Sequence, residues 1–533
     1  MRRDVDRLTA STFDLLVVGG GVYGLTIAYD AAQRGLSVAL IERRDFGGGA
    51  SFNHLRTIHG GLRYLQTLDV ARARESLFER RTLARIAPHA VQPLRFVLPL
   101  DRSLTRGSLA MTAGFLLDRA VAFDRNEGLP ANLSLPAGRV LSRDEAVAAF
   151  PELRLVDCTG AAVWYDYITP ESDRLTFSYG LAADAHGAVL ANYIDATAPI
   201  IEQGRVAGMQ AVDRQSGRTL DIASRLTVNA TGAAVAKTAH QFGEPVRKPL
   251  LKAMNLVTRL EPPPYALGGR ARSGRNLFLV PWKNRSVIGT WESATTCDAD
   301  AADASRQDVG DFLREINSAF PQLGLTFDDV VLVHRGAVPA VMRPDGRVAL
   351  EGHERVHDHA ADGVDGLISV AGTKYTTARA VAERVVSLVF DKLGRPAVPC
   401  QTAARPLVPH VVDGSATTVP TPSGKLPPDV AAHLVAAYGP RWGDVAKLLT
   451  TGVRLGERIS DASPVLCAEL VWAVREEMAV TLTDAVVRRT PLGAVGDPGP
   501  DALDRAGAIV GDELGWSSDQ RRVEIDAVRR LYP

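Results

Sequence analysis

The chain is expected to be α/β: a parallel-sheet domain, an antiparallel-sheet domain interleaved with it, and a C-terminal helical domain. Three observations predict this. Residues 13–42 carry a complete βαβ pattern, short strand-like runs recur from 188 to 289, and everything beyond a Pro-, Thr- and Ser-rich stretch at 401–428 has helical periodicity. The expected boundaries are 1–400 for the two interleaved domains, with inserted segments at roughly 75–150 and 245–335, then a linker over 401–428 and the helical domain over 429–533.

The βαβ pattern is FDLLVVGGGVYGLTIAYDAAQRGLSVALIE. Leu15 to Val18 is too short for a helix and fits a strand buried on both faces. Gly19, Gly21 and Gly24 fall where that strand ends and satisfy G-x-G-x-x-G. The first glycine permits a tight turn, the second admits the pyrophosphate of a dinucleotide, and the third lets the next helix pack on the strand. That helix aims its free N–H groups and positive dipole end at the phosphates. It should run to Arg34, with Gly35 in the left-handed capping position. A second strand, Ser37 to Ile41, delivers Glu42 at close to the roughly 20-residue spacing at which an acid accepts both ribose hydroxyls. The glycines alone are a weak signal; strand, glycines, helix, cap, strand and acid in register are a strong one.

With 533 residues, 46% hydrophobic and 23% charged, the chain suits two or three globular domains. Lys+Arg and Asp+Glu number 61 each, so no net field draws nucleic acid, which is excluded as a partner. Cys158, Cys297, Cys400 and Cys467 form no CxxC pair, which argues against a zinc site or disulfide framework and suits a reducing, cytoplasmic setting. No metal ligand set is read. The N-terminus has no apolar signal core, and no window reaches the ~18–20 apolar residues that span a bilayer. The most apolar run, GSLAMTAGFLL at 107–117, is read first as a buried helix and second as a peripheral contact with the inner face of a membrane.

The loop after Glu42, RRDFGGGASFNHLRTIHGGLRYLQ, must lie beside the bound cofactor, which makes Arg43, Ser51, His59, Gly60 and Gly61 candidate contacts. Asp69 to Ile86 is helical and closed by Pro88, and WYDYITPESDRL at 164–175 reads as a polar aromatic turn into another helix. Strand texture returns at 188–201 and 220–229, the second closing on VNATG, where Thr231 and Gly232 would pass the adenine half of FAD. Joined to the N-terminal unit, this favours FAD over NAD. Runs at 256–260, 276–281 and 286–289 are strands for the antiparallel substrate domain. LISVAG at 367–372 is another buried strand; Gly372, Thr373, Lys374 and Thr376 then open a helix to about Lys392, whose positive end suits a flavin ring. Thr373, Thr376 and Thr377 compete for its N-cap. Farther on, Ser463 with Pro464 should start a helix, and Ser517 with Gln520 should form a capping box for the last one. There is no second G-x-G-x-x-G unit to carry a nicotinamide, so electrons must leave the flavin for a quinone, oxygen or a protein.

GGGVYG, IHGGLRYL at 58–65, VNATG, PW with IGT at 281–290, AGTKYTTAR at 371–379, and the C-terminal AELVWAV with DAVVRRTPLG together carry a resemblance. Over nearly its whole length the chain resembles the FAD-dependent glycerol-3-phosphate dehydrogenases of the D-amino-acid-oxidase-like flavoprotein superfamily. The resemblance implies a Rossmann-like FAD-binding domain of glutathione-reductase-like topology and a role in glycerol metabolism. It also implies oxidation of the secondary hydroxyl of a polyol phosphate with hydride passing to flavin N5, and electrons continuing to quinone or oxygen. It admits a homodimer. It puts Arg63 and Tyr64 at the substrate phosphate, where an arginine fork is suited. Lys374 would stabilise charge developing on the substrate hydroxyl, and His59 is near enough in sequence to accept the proton.

The sequence departs from that pattern on the substrate side. Val338, in RGAVPAV, stands where the family usually has the arginine of G-V-R-P, and Asn255, in LKAMN, stands where it often has histidine. SFNHLRT at 51–57 replaces a Ser-rich run, and His54 within it is the candidate should the flavin be held covalently. Arg343, Arg347 and Arg355 lie near the segment of a further phosphate-binding arginine, so glycerol 3-phosphate is expected either to be a poor substrate or to be rescued by a nearby arginine, with Arg343 and Arg355 as candidates. Two alternatives stay open: a paralogue oxidising another alcohol, a hydroxy acid or an amine, and a flavin-binding redox sensor without turnover.

Overall fold

The strand Phe13–Val18 is buried at every position. It lies between parallel neighbours, with Leu15 opposite Leu226 on one side and Val38 on the other. The computed structural model, which describes residues 1–65, 68–103, 106–242, 249–301, 303–408, 420–421 and 424–533, has this strand inside its first sheet. The order across that sheet is Arg355–Asp358, Leu367–Ala371, Thr219–Asn229, Phe13–Val18, Val38–Ile41 and Val189–Ala191; the first is antiparallel and the rest are parallel. Helices Val22–Gln33, Ser172–Ala185 and Ala378–Lys392 share one core with its inner strands, through Leu25, Tyr29, Tyr179 and Val385. Ile194–Glu202 and Arg205–Asp213 extend Thr219–Asn229 as an antiparallel meander, packed through Met209 and Ile222. Burial on both faces is why these central strands read as unbroken apolar runs.

The second sheet is largely antiparallel. Leu250–Thr258 runs between Val330–Met342 and Arg285–Cys297; Asn276–Trp282, Ala266–Arg270, Gln92–Leu100 and Gly160–Ile168 continue the order. Helix Arg306–Ala319 buries Phe312 and Ile316 against it. Residues 164–168, expected to be a turn, are instead the second half of the strand Gly160–Ile168. Its polar groups are satisfied across the sheet, with Asp166 accepting from Gly60 N at 2.7 Å, so they do not mark a surface loop. The sheet thus extends past the expected segment limits of 150 and 335, through strands Gly160–Ile168 and Val348–Leu350.

Part of the expected linker, at 409–419 and 422–423, lies outside the described residues, as do residues 243–248 at the start of the second inserted segment. The C-terminal region is helical, with cores around Leu470, Leu503 and Val510 and around Leu434, Val445 and Trp472. Ser463 does not start a helix: the helix there is Cys467–Glu477, capped at Leu466, while the Ser463 hydroxyl accepts from Val465 N at 3.3 Å inside a turn. Ser517 does cap Ser518–Arg529, accepting from Gln520 N at 3.2 Å, but the Gln520 amide turns to Glu524 and leaves the box half made. The run at 107–117 is not a buried helix. In Ser108–Val121 only Met111 and Phe115 are buried, and Leu109 is 89% exposed.

Candidate active site

A cavity of about 710 Å³ opens at the carboxyl ends of the first sheet's central strands. Its floor is the glycine turn. Gly19 has φ +108°, and a Cβ on it would lie 2.6 Å from Ala230 O, so only glycine fits between the two strand ends. Gly24 stands behind the turn, where a Cβ would meet Gly19 O at 1.8 Å; it brings the helix onto the strand and does not line the cavity. Gly21 does line it, at the N-cap of helix Val22–Gln33. Ser51 reaches over from the following loop, its hydroxyl accepting from Val22 N at 2.9 Å. Glu42, at the end of Val38–Ile41, accepts from Gly20 N at 2.7 Å and Arg44 N at 2.9 Å. Burial pushes its carboxyl up, opposed by those two N–H groups. Arg43 lines the same end and faces Asp300 at 3.5 Å.

Opposite, the end of Thr219–Asn229 folds into its turn through the Thr231 hydroxyl, which donates to Asn229 Oδ1 at 2.7 Å, and Gly232 adds a left-handed residue. Both line the cavity, as do Gly372 and Thr373 after the strand Leu367–Ala371. A Cβ on Gly372 would meet Tyr23 Oη at 2.4 Å; that hydroxyl donates to Lys374 O at 2.9 Å and fixes the loop. Thr373 Oγ1 donates to Glu351 O at 3.3 Å, Thr376 is buried, and the Thr377 hydroxyl donates to Glu354 Oε1 at 2.7 Å. None of the three makes a side-chain cap; Ala378 N donates to Tyr375 O at 3.2 Å instead. A glycine turn at a helix N-terminus, an acid after the second strand and a cavity of this volume fit FAD.

Lys374 also lines the cavity. Its side chain is 6% exposed, its Nζ lies 4.2 Å from the centroid of the Tyr64 ring, and it has no hydrogen-bond partner among the described residues. A buried ammonium in that state costs free energy unless a ligand takes its protons. The Arg72 guanidinium also lies over the Tyr64 ring, 4.3 Å from its centroid, and its Nε is buried without a partner among the described residues. Arg72 Nη1 fits against Gly352, 3.7 Å from where a Cβ would stand. Sequence reading passed over Arg72 because it looks like one more charge on an arginine-rich helix; only its ring partner sets it apart. Arg63 falls in Leu62–Leu65, and its side chain lies outside the described residues.

His59 follows the strand Thr57–Ile58 and is half-buried, outside the cavity wall. Gly60 and Gly61 pack against Arg80 and the Tyr64 ring respectively and do not line the cavity. Asn255 is likewise outside the wall: its Oδ1 accepts from Thr290 Oγ1 at 2.9 Å and its Nδ2 donates to Asn53 O at 3.2 Å. An amide so engaged holds loop 51–57 in place and takes no proton. Arg343 and Arg347 are exposed on a hairpin, and Arg355 pairs with Glu351 at 2.9 Å; none reaches the cavity, whereas Val338 forms part of its wall.

His54 is on that wall too, its ring stacked on Tyr375 with centroids 4.7 Å apart. Nδ1 accepts from Arg56 N at 3.1 Å, which assigns the proton to Nε2, and Nε2 is buried with no partner among the described residues. Burial, and then the nearby Arg56, hold its pKa down to about 3, so it is a neutral donor and not a base at ordinary pH. The folded value lies below the ordinary 6.5, so the stability this contributes is intact above 6.5 and is lost as pH falls towards 3. Denaturation measured across that window should show the loss, with a shallower slope in His54→Gln; an identical slope would mean that His54 titrates normally.

A family model described as FAD dependent oxidoreductase matches residues 14–388, and one described as the C-terminal domain of alpha-glycerophosphate oxidase matches residues 368–521. The chain is 34% identical over 543 residues to a glycerol-3-phosphate dehydrogenase of Synechocystis sp., covering 97% of this chain and 96% of that one. It is 30% identical over 559 residues to a glycerol-3-phosphate dehydrogenase of Mycobacterium leprae, covering 99% and 91%. The fold is shared with the crystal structure of glycerol-3-phosphate dehydrogenase from Bacillus halodurans complexed with FAD, at a TM-score of 0.73 and 24% identity over 99% of this chain and 96% of that one. The cofactor cradle and the full-length identity agree: the chain belongs to the FAD-dependent oxidoreductases, and within them to the glycerol-3-phosphate dehydrogenase family.

Proposed function

We propose that the protein oxidises the secondary hydroxyl of a phosphorylated polyol of the glycerol 3-phosphate type. The observation that carries this is the buried Lys374 ammonium without a hydrogen-bond partner among the described residues, at the cavity that fits the cofactor. FAD, when bound, supplies the hydride acceptor. Lys374 would donate to the reacting oxygen as charge develops on it. Tyr64 and Arg72 would hold the phosphate, with Arg63 beside Tyr64 in the chain, and neutral His54 would donate through Nε2 to whatever lies on the wall. His59 remains the candidate proton acceptor, since His54 and Asn255 cannot serve. Val338 makes the wall apolar where the family usually has a cation, which favours a second reading, a different anionic alcohol. Anaerobic bleaching of the flavin separates the two. Reduction by sn-glycerol 3-phosphate and not by glycerol supports the first, whereas preferential reduction by a hydroxy acid overturns it.

Arg72→Ala should raise KM for the phosphorylated substrate about tenfold to a hundredfold with little change in kcat, because a charge-assisted hydrogen bond is worth roughly 1.5–3 kcal/mol. An unchanged KM would place the phosphate elsewhere. The electron acceptor is a quinone or oxygen. A quinone fits the exposed apolar surface of Ser108–Val121, where Leu109 is 89% exposed, Leu116 62% and, just beyond, Phe123 79%. No described helix is long and apolar enough to cross a membrane, so contact would be peripheral. Leu109→Glu with Phe123→Glu should abolish co-sedimentation with lipid vesicles; equal sedimentation of both proteins would discard this surface.

A further inference from the structure

Away from the cavity, the edge strand Arg355–Asp358 and the 3₁₀ turn His359–Asp362 bring together His357, His359 and Asp362. We propose that these three residues bind a divalent transition metal of the Zn²⁺ class. One donor atom from each of the three lies within 4.8 Å of the others. His357 Nε2 is already in hydrogen-bond contact with Asp362 Oδ2, and His359 Nδ1 is 3.8 Å from that same oxygen. Tetrahedral Zn²⁺ with bonds of about 2.0–2.2 Å requires donors about 3.4 Å apart. The 3.8 Å between His359 Nδ1 and Asp362 Oδ2 is close to that spacing, and the Asp362 side chain is 40% exposed and not locked in by packing. The two imidazoles are nearly perpendicular, at 88° with centroids 4.5 Å apart, so their lone pairs can converge without the rings clashing.

The surroundings suit a bound cation. His359 is buried, and its other nitrogen, Nε2, is 2.7 Å from Ser369 Oγ, which orients the ring as outer-shell partners of metal-binding histidines do. Ser369 Oγ also accepts from Asn229 Nδ2 at 3.2 Å, and Asn229 shapes the turn carrying Thr231. The local charge is favourable: among the described residues Asp358 and Asp365 pair with Lys392, Asp365 also with Arg205, and Asp362 contacts the two histidines. Gly363, left-handed at φ +89°, closes the turn directly after Asp362. Three protein donors leave the fourth position to water, and two imidazoles with one carboxylate favour Zn²⁺ or Co²⁺ over Mg²⁺ or Ca²⁺. Such an ion would staple the edge strand to its turn and, through His359, Ser369 and Asn229, stiffen the cofactor turn. Sequence reading assigned no metal because it weighed the cysteines and passed over His-x-His-x-x-Asp.

The test uses the flavin-loaded full chain, stripped with a chelator and titrated with Co²⁺, whose visible absorption reports coordination geometry. One equivalent with the intense bands of a four- or five-coordinate site is expected, displaced by Zn²⁺, and lost in His357→Ala and in Asp362→Asn. Both altered side chains are partly exposed, and an unchanged flavin spectrum verifies that each variant is folded. Absence of saturable binding in the parent protein, or binding that survives in both variants, overturns the proposal.

Discussion

Lys374→Ala is expected to slow flavin reduction by the true substrate about a hundredfold to a thousandfold, the usual cost of removing one donor aimed at developing negative charge. The cavity should still fill with cofactor. The part of residue 374 that shapes the cradle is its carbonyl, which accepts from Tyr23 Oη at 2.9 Å and is kept in the variant. Flavin content would therefore stay near that of the parent protein while stopped-flow bleaching under anaerobic conditions slows. Lys374→Arg should recover little, since the ammonium is confined 4.2 Å from the Tyr64 ring and a guanidinium needs more room. Bleaching of Lys374→Ala at the parental rate would remove this lysine from the chemistry and leave Arg72 and His54 as the polar groups to examine.

A second large effect is expected far from the substrate, at Asp45. Its fully buried carboxylate accepts from Arg488 Nε at 2.6 Å and from both Arg489 terminal nitrogens at 2.7 Å, and Asn192 Nδ2 donates to it at 3.1 Å. Arg489 Nε donates in turn to Glu477 O at 2.9 Å, and Glu477 pairs with Arg174 and accepts from Trp472 Nε1 at 2.9 Å. These charges join the helical region to the loop after Glu42, and Gly47 N donates to Gly20 O at 2.9 Å on the glycine turn itself. Asp45→Ala leaves Arg489, 1% exposed, without its carboxylate, and breaking a buried pair costs about 3–5 kcal/mol. Urea denaturation should show a loss of that size, together with weaker flavin retention; a change under about 1 kcal/mol would show that water or Glu477 takes over. The two arginines hold the Asp45 carboxyl at about 2 despite its burial. Its contribution is complete above the ordinary 3.8 and disappears as pH falls through about 2, so parent and variant should converge in strong acid.

The features legible in the sequence were those set by neighbouring residues. Phe13 to Glu42 announced strand, turn, helix and acid because backbone geometry at Gly19 and packing at Gly24 are local demands, and local demands leave a pattern at fixed spacing. The same holds for the helix after Asp69, for Gly35, and for the strand leading to Gly372. The error at 164–168 has a physical cause: in an antiparallel sheet, polar side chains such as Asp166 are paired with groups that arrive from distant segments, here Gly60 and Arg80. The spacing of polar residues then mimics a surface turn. The exposed helix Ser108–Val121 misled for the opposite reason, since an apolar run looks buried whether or not a partner covers it.

By itself the sequence determined the α/β class, the FAD cradle and the family, all of which rest on glycines, one acid and short apolar strands whose roles are local. Only the tertiary structure decided which charged and polar groups gather around Lys374. Arg72 joins Tyr64 and Lys374 while Arg343 and Arg355 point away; His54 is held neutral; Asn255 is committed to Thr290 and Asn53; and His357, His359 and Asp362 converge. A side chain's partner and its protonation state depend on burial and on groups brought close from elsewhere in the chain, and for the charges around Lys374 no residue-by-residue spacing encodes either.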